Sequence, residues 1–287
     1  MFRVCAFWIF VTTFVSLSCN AASVFKVSKE GNHLYIGGTL HLLSEDDYPL
    51  PVQYQSAYEK SQLIVFETDL AALSSEEFSK AMLNALTYKD GKTLKDTLAP
   101  ETLKALSQHL ETRGLNLSQF ITYKPALMSM TLSMIELQQM GLTSEGVDKY
   151  FHQLARLDEK PVAWLESPEQ QISFIAHMGS DNPNAFMRYS LNDLTTLPTL
   201  LPVLKESWKS GNLERMYNES LVDFKAEYPD VFSTIITHRN TAWLRDIESY
   251  LATPETEFVL VGALHLPGEV GLLQKLTARG YTVSQVN

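Results

Sequence analysis

The sequence predicts an α/β fold: a mixed central β-sheet built from both ends of the chain and flanked by helices, with a large helical insertion over about residues 70–250. Three observations predict it. Leu63-Ile64-Val65-Phe66 and Phe258-Val259-Leu260-Val261 are continuous apolar runs of strand length, the signature of strands buried on both faces. Most β-prone runs fall near the two termini, so the ends of the chain must meet in one sheet. Between them the apolar residues recur with helical period, punctuated by caps and stops.

In chain order, Val24 to Lys29 and Leu34 to Leu40 are β-prone runs joined by the turn residues Glu30-Gly31-Asn32-His33, which reads as a hairpin. Val52 to Ser61 follows as a short helix, and Leu63 to Phe66 as a strand ending in Glu67. From Leu70 to about Lys160 the pattern is helical. Ser74-Ser75-Glu76-Glu77 starts one helix with a cap and acidic first-turn residues, Pro100 and Pro125 sit at first-turn positions, and Gly114 and Gly141 mark stops. Val162 to Leu165 is a short strand, Ser167-Pro168-Glu169 opens another helix, and Asn184 to Leu251 is helical again. Phe258 to Val261 is a strand, Val270 to Arg279 a helix, and Tyr281 to Val283 a last strand. Met128, Met130, Met134 and Met140 read as gap-fillers between packed helices.

The 287 residues carry 23 Lys plus Arg against 33 Asp plus Glu, a formal charge of -10. A net negative chain is a poor partner for nucleic acid, whose affinity comes from cations that neutralise phosphates. Arg3 followed by the uncharged run Val4 to Leu17 and the small residues Ala21 and Ala22 reads as a cleavable signal peptide over residues 1–22, ahead of a single domain over 23–287. The run falls short of the ~20 residues a spanning helix needs. The expectation is therefore a secreted or periplasmic protein with no transmembrane span in its mature chain. Ser16 occupies the place of the aliphatic residue of a lipoprotein signal, which favours cleavage over anchoring at Cys19. Both cysteines, Cys5 and Cys19, lie in the leader, so the mature chain would hold no thiolate nucleophile or ligand.

The informative feature is a near-repeat. Gly38-Thr39-Leu40-His41-Leu42 and Gly262-Ala263-Leu264-His265-Leu266 each follow an apolar strand, and these are the two Gly-x-x-His sequences of the chain. Both imidazoles should leave the carboxyl edge of the sheet, where ligands of open α/β sheets bind. Leu63 to Phe66 delivers Glu67 in the same way. Two imidazoles and a carboxylate are a usual ligand set for a catalytic divalent metal with an open position for water. Such an ion lowers the pKa of its water and polarises a carbonyl. Taken singly, each His reads equally as a hydrogen-bonded core residue and Glu67 as a salt-bridged strand end; their shared context at three strand ends raises the joint functional reading. The chain holds no Gly-x-Ser-x-Gly elbow, phosphate loop, dinucleotide fingerprint or His-Glu-x-x-His helix.

Ile36 to His41, Leu63 to Asp69, and Val259 to Gly268 with Gly280 to Val283 resemble the TraB/GumN family, which includes the Tiki membrane proteases. Lys124-Pro125, Gly146-Val147-Asp148, Lys160 to Gln171 and His238-Arg239-Asn240 extend the resemblance inward, so that it spans Val24 to Val286. It implies a fold similar to the erythromycin esterase and ChaN haem-binding proteins. It also implies a metal or acid/base site of His41, Glu67 and His265, holding a divalent ion (Mn, Co or Zn), with Arg239 and Asn240 as substrate or oxyanion contacts. The expected activity is hydrolysis of a peptide or small-molecule carbonyl substrate. Two alternatives stay open: a metal-free hydrolase with a His as general base, and a non-catalytic binder of a peptide, a signal molecule or haem. Arg239 reads equally as an oxyanion donor or as a salt-bridge partner of Glu67 or Glu166; Glu166 follows the Val162 to Leu165 strand and could join the same edge, with a helix-capping role for Glu166-Ser167-Pro168 the favoured reading.

Overall fold

The computed structural model describes residues 22–142 and 145–287. The leader reading lies, but for Ala22, outside the described residues. Six strands form one sheet: β1 (Val24–Lys29), β2 (Asn32–Thr39), β3 (Leu63–Phe66), β4 (Val162–Trp164), β5 (Glu257–Gly262) and β6 (Thr282–Gln285). Their order is β4-β3-β5-β2-β1-β6. The sheet is mixed, as the sequence predicts. The chain termini meet in it through the antiparallel pair β1–β6.

The β1–β2 hairpin is tighter than expected. Glu30 and Gly31 alone make the turn, with φ of 53° and 95°, so β2 already starts at Asn32. Two positive φ values are what a two-residue turn between right-twisted strands requires. β5 lies between β2 and β3 and runs parallel to both, and β4 is parallel to β3. Four neighbouring strands therefore end at one edge. Their apolar runs are buried as predicted: Ile64, Val65 and Phe258 to Val261 are fully enclosed. β4 is the exception, because at the edge of the sheet Val162 and Trp164 face solvent.

The predicted helix signals act as written. The Ser75 hydroxyl accepts from the Phe78 N–H, Pro100 and Pro125 sit in first turns, and Gly114 and Gly141 take φ of +71° and +79° at helix ends. The last helix is shorter than predicted, Leu272–Ala278. A 28-residue helix, Pro183–Ser210, runs through Pro198 and Pro202. Trp208 from that helix and Trp243 from Arg239–Leu251 join the core against the sheet, while Leu94, Leu106, Leu110, Met128 and Leu132 form a second core within the insertion. Met128 packs there as predicted; Met130 and Met134 are exposed instead. No helix among the described residues is long and apolar enough to cross a membrane.

Glu257 opens β5 at the end of the sheet remote from Glu67, 2% exposed, with Oε2 lacking a hydrogen-bond partner among the described residues. Burial raises its pKa to about 7. The folded state thus holds a proton that the unfolded chain releases near pH ~4.3. The stability this proton contributes is complete below that value and is lost as pH rises through about 7. Glu257→Gln is expected to abolish this fall and to stabilise the protein at pH 8 by up to about 3 kcal/mol. Urea unfolding at pH 5 and pH 8 measures it; equal gains at both values would contradict it.

Candidate functional site

Because β2, β5 and β3 are parallel, the residues that follow them gather at one edge. The point where a β-carbon on Gly262 would stand lies 3.2 Å from Glu67 Oε1, 3.5 Å from His265 Cδ2 and 3.9 Å from His41 Nε2. The three residues singled out from strand ends converge there. β4 adds a fourth, since Glu166 follows it by two residues and its N–H bonds to the Glu67 carbonyl at 2.9 Å.

Arg239 crosses this edge at the start of the helix Arg239–Leu251. Its Nη2 donates to Glu67 Oε2 at 2.5 Å and to Glu166 Oε1 at 2.6 Å, Nε donates to Glu166 Oε2 at 3.1 Å, and Nη1 donates to His265 Nε2 at 3.1 Å. The guanidinium lies 4.5 Å from the Trp243 ring centre. Four of its five N–H donors are engaged, leaving one Nη1–H outside the hydrogen bonds of the described residues. Both carboxylates the sequence offered as salt-bridge partners are taken together. Glu166 does not cap the helix after it: Ser167 does, and Glu166 accepts from Arg239, Trp243 Nε1 and Gln171.

Asn240 decides the state of His265. Its Nδ2 donates to the carbonyls of His265 and Val270 at 3.0 and 2.9 Å, so its Oδ1 is the atom that faces His265 Nδ1 at 2.7 Å. Nδ1 therefore carries the proton and Nε2 the lone pair that receives Arg239. Burial lowers the imidazole pKa to about 3 against the pull of Glu67, which keeps His265 neutral. Burial alone would raise the Glu67 carboxyl, but Arg239 chiefly, with the two histidines and the Gly262 N–H at 2.6 Å, holds it down to about 2. Burial raises the Glu166 carboxyl, against the pull of Arg239.

His41 is different. Its side chain is 68% exposed, and Nδ1 meets Asp148 Oδ2 at 2.9 Å, which leaves Nε2 turned towards the common point. The Asp148 carboxylate raises the imidazole pKa above its usual 6.5. Asp148 reaches this place because Gly146 lies directly on the His41 backbone: a β-carbon there would stand 2.3 Å from Leu40 O and from His41 C and O. The Val147 N–H closes the contact on Leu40 O at 3.1 Å. Gly146→Ala is expected to push the two segments apart, separate Asp148 from His41 and cost about 1–3 kcal/mol. A thermal melt together with the His41 titration by NMR checks both effects; an unshifted His41 would contradict the account.

As the side chains stand, they do not fit a divalent metal. Among the described residues no group of three or more His, Cys, Asp and Glu is placed to hold one. The cause is the orientation of His265, which turns carbon Cδ2 to the common point while both ring nitrogens are hydrogen-bonded. Two clefts flank the site and share His41, Glu67 and Gln171: one of about 310 Å³ beside Phe66, Leu70, Leu73 and Lys149, the other of about 240 Å³ beside Phe174, Ile175, Met178, Ile235 and Arg239. A larger cleft of about 1170 Å³ lies apart, and its cations Lys205 and Lys209 are paired with buried Asp47.

The residues from 23 to 285 match the model of the TraB/PrgY/gumN family. The chain belongs to that family. It is 27% identical over 259 residues to the uncharacterized protein YbaP of Escherichia coli K12, covering 87% of this chain and 90% of YbaP, and equally similar to YbaP of Shigella flexneri. No solved structure matches. The resemblance read from the two Gly-x-x-His motifs is thus borne out at the level of the family. Asp148, Glu166 and Gln171 are site residues that the motifs did not single out. Two signals were present: position, since Glu166 follows a strand, as Glu67 does, and Asp148 is the second residue of a helix that opens after Gly146, and the resemblance of the blocks Gly146 to Asp148 and Lys160 to Gln171 to the family.

Proposed function

We propose that this chain is an exported hydrolase of an amide or related carbonyl, in which His41, held by Asp148, activates the attacking water. The observation that carries the reading is the pair itself. An imidazole with Nδ1 on a carboxylate at 2.9 Å and Nε2 facing a cleft is the arrangement of an oriented general base. Water between Nε2 and the substrate carbonyl would pass its proton to His41 as its oxygen bonds to the carbonyl carbon. The same proton would then leave with the departing amine or alcohol. Arg239 offers its remaining Nη1–H to the developing oxyanion from a site that is largely closed to solvent. Glu67 and Glu166 hold the guanidinium in plane. Asn240 acts as a positioning residue through His265.

A divalent metal (Mn, Co or Zn), the cofactor implied by the family resemblance, would supply a water of lowered pKa. It would require His265 to exchange Arg239 for the ion, and no step above depends on it. Turnover of a peptide and ester library by wild type before and after chelation, with metal content measured, separates the two forms. Activity that survives complete metal removal supports His41 as the activator, whereas activity restored only by added metal overturns it. Export rests on Arg3 and the run Val4 to Leu17, and N-terminal sequencing of the protein from the periplasm checks it.

A further inference from the structure

We propose that the cleft of about 240 Å³ is a specificity pocket for one neutral apolar group of the substrate, of leucine or phenylalanine size. The reaction it serves rests on the hydrolase reading above; the binding does not. Phe174, Ile175 and Met178 wall it from the helix Pro168–His177 and its C-cap, at spacings that place them on neighbouring turns. That helix carries Ile172, Phe174 and Ile175, which are half-buried and none of them fully enclosed, so the two that line the cleft keep apolar surface open to an occupant. The opposite wall is Ile235, from the six-residue π-helix Ser233–His238 that runs directly into Arg239. π-turns are rare and gather at functional sites. Here the wide turn puts an aliphatic side chain and the guanidinium on the same cleft.

Size and charge define the occupant. A volume of about 240 Å³ falls below the ~300–1,000 Å³ of pockets that enclose whole ligands, so the cleft takes a single group while the rest of the substrate lies across His41. The cleft's charged lining is already paired, Arg239 with Glu67 and Glu166 and His41 with Asp148. An anionic group would find no unpaired cation here. An uncharged aliphatic or single-ring group buries its surface against Phe174, Ile175, Met178 and Ile235 at no electrostatic cost.

The test is methyl NMR titration of the full protein with N-acetyl-leucinamide, N-acetyl-phenylalaninamide and N-acetyl-glycinamide. The expected result is shifts at Ile175, Met178 and Ile235 with the first two probes, at affinities about 10-fold or more above that for the glycine amide. Ile175→Trp, which fills the cleft, should abolish them. Ile175→Ala, which cannot overfill it, should shift the preference from leucine to phenylalanine. Asp148→Asn, whose side chain lies outside this cleft, should keep the binding while turnover falls, so failure of the hydrolase reading leaves the pocket standing. Equal shifts with all three amides, no shifts at these methyls, or binding indifferent to both Ile175 variants would overturn the pocket, even if the protein hydrolyses peptides.

Discussion

Arg239→Ala is expected to lower the unfolding free energy at pH 7 by about 3–5 kcal/mol, because it leaves two buried carboxylates without their counter-charge. The Glu67 and Glu166 side chains are only 8% and 3% exposed, so water cannot replace the guanidinium. The deficit should depend on pH. In the wild type Glu67 is held at about 2, so its contribution is present above the unfolded carboxylate pKa and is lost as pH falls towards 2. In the variant, burial is opposed only by the two histidines and the Gly262 N–H, so the Glu67 pKa rises and acid relieves the unpaired charge. Urea unfolding should show a larger loss at pH 7 than at pH 4. Arg239→Lys, with one point charge in place of a fork, should recover only part of it. A loss below about 1 kcal/mol at pH 7 would mean that the cluster is screened as a surface pair is.

His41→Ala should weigh on turnover first: a loss of about 10²–10⁴-fold in kcat/KM, with a melting temperature lowered by less than in Arg239→Ala. The His41 side chain is 68% exposed and contributes little burial, so the cost to the fold is that of leaving one carboxylate, Asp148, without its imidazole. A general base works when it is unprotonated. Since Asp148 raises the imidazole pKa above 6.5, the rate should rise with pH through a limb on the alkaline side of that value. Asp148→Asn keeps the shape and removes the charge, so the limb should move to lower pH while the plateau falls. A profile of kcat/KM against pH that is the same in wild type and Asp148→Asn would remove Asp148 from the mechanism. Full activity in His41→Ala would remove His41.

The sheet was legible because its signals are local. The runs Leu63 to Phe66 and Phe258 to Val261 are apolar at every position, and Glu30-Gly31 has the turn chemistry of a tight hairpin. The placement of His41, Glu67 and His265 at strand ends followed from those runs, and the parallel pairing of β2, β5 and β3 then brings them together. Their roles were less legible. Two Gly-x-x-His motifs and a glutamate suggest metal ligands when only residue type and spacing are in view. The orientation of each ring is another matter. For His265 it depends on Asn240 and Arg239, which sit on a helix whose packing against the sheet no short pattern specifies.

What the sequence by itself determined is the set of elements, the closure of the two chain ends into one mixed sheet, and the delivery of three polar residues to its carboxyl edge. Periodicity, turn residues and caps act over a few residues, and those suffice. The tertiary structure alone decided that Arg239 joins Glu67 to Glu166, that His265 points carbon rather than nitrogen at the common point, and that His41 pairs with Asp148. Each of these contacts joins residues far apart in the chain. Each exists because a helix packs on the sheet edge at a distance set by side-chain volume, or, for Gly146 on His41, by the absence of a side chain.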